Sequence, residues 1–202
     1  DKMNRELQAF GSNIRLEPVA ASVPVRVGGH DVASTAPPAY LEERDLVTLK
    51  RIFWKNNILG VVPRLWTHGK AGGRDVTLLG VWFEHEIPVE GGEPFVTGAR
   101  RVYKHWKVAG SWPSGRPAGE DVTSLVGESL ARKLSVRPGD KIRLGAPSGV
   151  VTIAVAGIAS TGGREEDAII LPLAAAQALA GLEGKYSEAD ISALTTPENK
   201  LA

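Results

Sequence analysis

The stretch LVGESLARKLSVRPGDKIRL, residues 125–144, passes a strand end into a short helix and the helix abruptly into another strand. The apolar run stops at Gly127. Leu130, Ala131 and Leu134 then recur at the spacing of one helical face. Pro138-Gly139-Asp140 supplies turn chemistry, and beyond it Ile142 and Leu144 alternate with charged residues, the period of a half-buried strand. Geometry alone allows two settings for such a unit: a small β-barrel module in an enzyme, or a packed module of a membrane machine.

Downstream, Pro147-Ser148-Gly149 marks a turn and Val150–Ile158 a hairpin partner. Ala168–Leu171 reads as a buried strand, with Pro172 opening a helix that runs to about Ala180, and Tyr186–Leu194 as a last strand. Thr196 is placed to cap a further helix with Pro197 and Glu198 in its first turn. Upstream, Met3, Leu7 and Phe10 share a helical face that Gly11 ends, and Asn13–Glu17 alternates as a strand. Residues 18–39 read as a loop with one short strand at Val23–Val27. Leu41–Trp54 is expected to be a helix, with apolar positions at Leu46, Leu49, Ile52 and Phe53, followed by a strand over Ile58–Trp66. Gly69–Gly73 is a turn, Asp75–Glu84 a strand, Arg101–Trp112 a strand and Pro113–Gly119 a turn. Strand–helix–strand thus occurs at 13–66 and again at 168–194, around a β-rich middle.

The chain has 202 residues, 43% of them hydrophobic, which suffices for one large domain or two small ones with a real core. A net charge of +1 creates no field that would draw it to nucleic acid. With no cysteine, disulfides, thiolate metal sites and cysteine nucleophiles are excluded. The longest apolar run, Val150–Ala159, is too short to span a bilayer, and no signal-peptide pattern opens the chain. Both ends read as helices that continue beyond the sequence.

Several groupings carry chemistry in principle. Glu84-His85-Glu86 offers imidazole beside carboxylates, suited to zinc or iron. On a strand, however, His85 points away from its two neighbours, so His68 or His105 would have to join it across strands. His85 and His105 are the metal candidates. Arg164-Glu165-Glu166-Asp167 groups three carboxylates, yet after Gly162-Gly163 it fits a solvated loop better than an acid–base pair. ARRVYKHWKVAGSW (99–112) interleaves Arg100, Arg101, Lys104 and Lys107 with Tyr103, Trp106 and Trp112, a pattern able to contact an acidic partner or lipid headgroups. GKAGG (69–73) lacks the order of a phosphate loop and leads into a strand. There is no nucleophile elbow, and Ser129 lies on a helix surface, so no catalytic set emerges.

Six segments in order resemble the extracytoplasmic domain of MacB/FtsX-type ABC permeases: 7–18 (LQAFGSNIRLEP), 41–66, 126–144, 150–163 (VVTIAVAGIASTGG), 168–181 (AIILPLAAAQALAG) and 191–202. WKVAGSWP (106–113) and IFWKNN (52–57) are similar to permeases that accompany high-affinity iron uptake systems. The resemblance implies an α+β fold. A porter-like subdomain of two strand–helix–strand units comes from residues 1–70 and 164–202, the latter leading to a membrane helix. A β-rich insertion, Sabre-like, occupies 71–163. It further implies a non-catalytic, cofactor-free segment outside the inner membrane. Its partners would be a cytosolic ABC ATPase, a second permease subunit and an extracytoplasmic protein. The alternatives are a soluble metal- or substrate-binding module and, last, an enzyme with a barrel domain.

Overall fold

A computed structural model of the chain describes residues 11–19, 39–113 and 122–194, together with the backbone of 25–27 and 30–32. The helices expected over Met3–Phe10 and from Thr196 onward lie outside the described residues, as does most of the Pro113–Gly119 turn.

The strands, in chain order, are β1 (Ile14–Leu16), β2 (Val25–Val27), β3 (His30–Val32), β4 (Leu41–Glu42), β5 (Ile58–Ala71), β6 (Arg74–Val81), β7 (His85–Ile87), β8 (Phe95–Thr97), β9 (Lys107–Gly110), β10 (Val122–Gly127), β11 (Lys141–Ala146), β12 (Gly149–Ser160), β13 (Ala168–Pro172), β14 (Lys185–Tyr186) and β15 (Glu188–Ala193). α-Helices occupy Ala99–Val102, Glu128–Leu134 and Leu173–Ala180. The fold is α+β and rich in strand.

One sheet organises the molecule, with neighbours in the order β1-β15-β5-β11-β12-β10-β13-β6, and β6 pairs back onto β5. Six strands, β5, β11, β12, β10, β13 and β6, therefore close a ring. All six send side chains into a single cluster that includes Leu65, Leu78, Val126, Leu144, Ile153 and Ile169, as the interior of a small barrel requires. Their neighbours in sequence, among them Val62, Leu79, Leu125 and Ile170, form a second cluster on the outer face with Val102, Tyr103 and Trp106. Burial on both faces explains why β13 reads as the uninterrupted run Ala-Ile-Ile-Leu rather than as an alternation.

The opening stretch supplies two barrel strands. β10 lies parallel to β12, and β11 forms a hairpin with β12. Between them, Leu130 and Ala131 of the helix are buried as the spacing predicts. Ser135 in the left-handed conformation ends the helix, and Asp140 Oδ2 accepts the Arg137 N–H at 2.7 Å to set the turn. The 69–73 segment is half strand. β5 continues to Ala71, and Gly72-Gly73, with φ of 57° and 80°, make a two-residue hairpin to Arg74. The barrel crosses both expected boundaries: β5 pairs with β6 across residues 70–71, and β13 pairs with β10 and β6 although it follows residue 163.

Three local readings are corrected. The helix expected at Leu41–Trp54 is instead the short strand β4, a 3-10 helix over Glu43–Lys50, turns, and a second 3-10 helix over Lys55–Asn57. Pairing of Leu41 with Tyr186 holds the start extended, and Leu46 and Leu49 meet the core while Ile52 and Phe53 are exposed, so the four apolar positions do not share one buried face. The strand expected at Arg101–Trp112 is reduced to β9. Ala99 N–H and Arg100 N–H are taken by the carbonyls of Trp82 and Phe83, which starts a helical turn and ends β6 early. The loop of 18–39 contains a hairpin, β2–β3, rather than one strand.

Gly127 illustrates how tightly the chain is threaded, because a Cβ there would overlap the carbonyl oxygens of Glu165 and Glu166. Gly127→Ala is expected to lower stability by about 2–4 kcal/mol through forced backbone displacement. Gly92→Ala, whose Cβ would meet only Val89 at 3.7 Å, should change it by less than about 0.5 kcal/mol. Urea midpoints of the two variants check the contrast.

Candidate functional site

β5 changes partners along its length. Residues 58–64 pair with β15 and residues 64–71 with β6, so Arg64 stands where the strand leaves the terminal sheet and enters the barrel. Its side chain is on the outer face, in line with Val62, and is buried. A lone guanidinium there requires anions, and three carboxylates supply them. Arg64 Nη1 is 2.7 Å from Asp190 Oδ2, Nη2 meets Glu165 Oε1, and Nε lies 3.2 Å from Glu188 Oε1 but is not aligned for a hydrogen bond.

The period of β15 puts Glu188 and Asp190 on this face while Ala189 and Ile191 fill the core. Arg15 on β1 sits opposite Asp190 in register and donates Nε–H to Oδ1 at 3.0 Å. Tyr103 donates its hydroxyl proton to Asp190 Oδ2 at 2.6 Å, and Trp66 Nε1–H donates to Glu188 Oε1 at 2.9 Å. Arg164 also meets Glu188, with its guanidinium carbon 4.0 Å from the Trp66 ring centre. Three guanidinium groups thus face three carboxylates, and the assembly is neutral as a whole.

The proton affinities follow. Burial pushes Tyr103 well above the usual tyrosine range, more than the nearby Arg64 lowers it, so the phenol stays a donor. For Asp190 burial acts upward, but the Tyr103 hydrogen bond and the Arg64 guanidinium outweigh it and hold the carboxyl below the ordinary aspartate value. Burial likewise opposes the charge on Arg64, yet Tyr103, Glu165 and Asp190 together raise its pKa. Each carboxylate is engaged by at least one guanidinium. The cluster is built as a clamp. A cleft of about 260 Å³ opens beside it, lined by Arg64, Tyr103, Trp106, Gly163 and Asp190.

The residues singled out by sequence are dispersed. His85 stacks on Trp82 with ring centres 3.9 Å apart, and burial lowers its pKa against the pull of Glu43 and Glu86. His105 is exposed, 6.0 Å from the Tyr103 ring centre, on the rim of the cleft. Among the described residues, no group of three or more histidine, aspartate or glutamate side chains is arranged to hold a metal ion. His68 is exposed beside the β11–β12 hairpin, and the side chain of His30 is outside the described residues.

The 164–167 segment is not the solvated loop expected. Glu165 is buried against Arg64, and Glu166 accepts the Thr161 and Gly162 N–H groups at 2.6 and 3.0 Å. Burial raises the Glu166 pKa less than these and other backbone N–H groups lower it. Asp167 alone keeps a surface role, 2.5 Å from Lys133. In 99–112 the aromatics face inward, Tyr103 stacking on Trp106 at 4.6 Å and Trp106 on Trp112 at 6.2 Å, while Arg100, Arg101, Lys104 and Lys107 are exposed. Sequence reading missed Arg64, Glu188 and Asp190. The available signals were one arginine inside the apolar run Ile58–Trp66 and two acids two residues apart in the last strand.

Removing one member of a buried ion cluster leaves its partners uncompensated. Arg64→Met is therefore expected to lose about 3–5 kcal/mol, and Tyr103→Phe about 1–3 kcal/mol. Because the pKa of Asp190 is lower folded than unfolded, its contribution is present above about pH 4 and fades as pH falls through the folded value. The Asp190→Asn variant should show a flatter acid limb in a plot of urea midpoint against pH.

No protein-family model matches this chain, and no curated protein matches it. Solved structures do. The extracellular domain of YknZ, a noncanonical ABC-type transporter from Gram-positive bacteria, superposes with a TM-score of 0.51 at 18% identity, over 80% of this chain and 78% of that one. The periplasmic region of MacB from Actinobacillus actinomycetemcomitans does so with a TM-score of 0.55 at 12% identity, over 79% of this chain and 67% of that one. This chain has the fold of the MacB-like extracytoplasmic domains of ABC-type transporters.

Proposed function

We propose that the chain is the extracytoplasmic domain of an ABC-type permease subunit and has no catalytic activity of its own. The observation that carries this reading is the shared fold with two transporter domains, joined to the placement of the described chain ends. Asn13 is hydrogen-bonded through its side chain to both backbone groups of Ala193, so the first and last strands finish side by side. Membrane helices attached to those strands would move them together. The Arg64 cluster ties β1 and β15 to the barrel, and a displacement of the strand pair is thereby passed on to the barrel instead of being absorbed at the junction.

In this proposal a cytosolic ATPase partner drives the membrane helices, a second permease subunit completes the transporter, and the barrel acts on a substrate or partner protein outside the membrane. The similarity of 106–113 and 52–57 to iron-associated permeases supports an assignment to iron uptake. The reading requires hydrophobic spans flanking residues 1 and 202 in the parent protein; their absence would end it.

In the reconstituted transporter, Arg64→Met is expected to leave nucleotide hydrolysis within about twofold of wild type and to abolish the extracytoplasmic output, which uncouples the two. Equal loss of both would contradict a transmission role. Cells lacking the permease are expected to accumulate less iron from iron-poor medium, and unchanged iron content would remove the iron assignment.

A further inference from the structure

The segment Arg51–Leu59 groups four of the seven exposed large apolar side chains among the described residues. Phe53 is 86% exposed, Trp54 49%, Ile52 43% and Leu59 38%. Their exposure is built in. Arg51 N–H bonds the Thr48 carbonyl at 2.8 Å, Lys55 N–H the Ile52 carbonyl at 3.1 Å and Asn57 N–H the Trp54 carbonyl at 2.9 Å, so successive turns fix the segment's shape. From below, Lys50 Nζ donates to the carbonyls of Lys55 and Ile58 at 2.8 and 3.1 Å while sitting 3.7 Å over the Phe95 ring. The rings of Phe53 and Trp54 meet edge to face at 5.0 Å and point outward as one knob.

The charges within the knob segment have one sign. Residues 51–59 contain Arg51 and Lys55 and no acid, and both cations are exposed. Leu59 lines a cleft of about 240 Å³ together with Arg101 and Lys104, two further exposed cations. An aromatic tip within a basic rim matches the layered chemistry of a bilayer surface, where indole and phenyl rings sit among the headgroups and basic side chains reach anionic phosphates. Position agrees. Leu194 N–H bonds the Asn57 carbonyl at 2.9 Å, so the knob lies beside the end of the last described strand, next to which the first strand also finishes.

We infer that the Arg51–Leu59 knob inserts into the interfacial layer of a lipid bilayer with anionic headgroups, seating the domain on the membrane. This inference rests on the permease reading, which orients both strand ends toward the membrane. It gives the transmission model a fulcrum, because a domain resting on lipid through Phe53 and Trp54 tilts about that contact when its terminal strands are pushed.

The experiment is co-sedimentation of the 202-residue chain with vesicles of phosphatidylcholine containing phosphatidylglycerol, and with pure phosphatidylcholine vesicles. Wild type is expected to bind the mixed vesicles, and F53S/W54S to bind on the order of tenfold more weakly with an unchanged thermal melt, since these side chains pack against no core. R51E/K55E should lose the preference for phosphatidylglycerol but keep the melt. Quenching of tryptophan emission by brominated lipid should be strong in wild type and weak in W54F.

Failure of wild type to bind either vesicle, or equal binding by F53S/W54S, overturns the inference. Concentration-dependent self-association that F53S/W54S abolishes, without vesicle binding, would overturn it in favour of a second copy of the chain. Each of these leaves the permease reading standing, because that reading fails separately, on the absence of membrane spans beside residues 1 and 202.

Discussion

A strand that joins the terminal strands to a barrel has to be held where it changes partners, and in this molecule that point is Arg64. Upstream of it β5 bonds to β15, downstream to β6, and at residue 64 itself it is in register with both Glu188 and Val81. A hydrophobic residue could fill the space, but it would not fix the angle between the terminal strands and the barrel. Converging ion pairs do so, since a guanidinium fork accepts carboxylates only in particular directions. Buried charge of this kind is weak evidence for extra stability, because desolvation offsets much of the attraction. Its better explanation is geometric: Glu165 from the barrel side and Asp190 from the terminal side are both held to one rigid plane.

The terminal strands and the barrel therefore differ in character. The barrel has residues such as Leu78, Leu144, Ile153 and Ile169 shielded from solvent, with strands supporting one another around a ring. β1 lies at the edge of the sheet, with Ile14 partly exposed and Arg15 reaching over to the two acids of β15. On the proposed transmission role, motion applied at the ends would meet the exposed sheet edge first and the closed barrel beyond Arg64, which places compliance near the input and stiffness at the output.

What was legible in the sequence is what local rules decide. The helix over Glu128–Leu134, the β11–β12 hairpin and the buried strand β13 follow from period and turn chemistry, and six sequence segments in order carry the family resemblance. The 41–54 segment misled because Leu46, Leu49, Ile52 and Phe53 carry helical spacing while pairing with the distant Tyr186 holds its start extended and the Lys50 ammonium bonds the carbonyls of Lys55 and Ile58 just beyond it. The closure of the barrel was not legible, since pairing of β6 with β13 joins residues that no local signal connects. The Arg64 cluster was hidden for the same reason: its members come from β1, β5, the 164–167 turn, β15 and Tyr103. Glu165 in particular was read as solvent-facing because a run of charges ordinarily is, whereas the glycine at 127 lets that turn lie directly against β10.

The pairing of β1 with β15 has a consequence for how the molecule is made. Ile14 faces Ile191, and Arg15 faces Asp190, across nearly the full length of the chain. Until β15 has been synthesised, β1 lacks the strand it is built to join, and Arg64 lacks two of its three carboxylates. Contacts of such long sequence separation form late and slowly. The barrel segments can collapse before then, but the junction cannot lock, so the growing chain carries an open strand edge and an arginine with Glu165 as its one carboxylate until its last strand arrives. If the domain is delivered across a membrane in extended form, that delay keeps it loose during passage and lets it harden only after the whole segment has emerged.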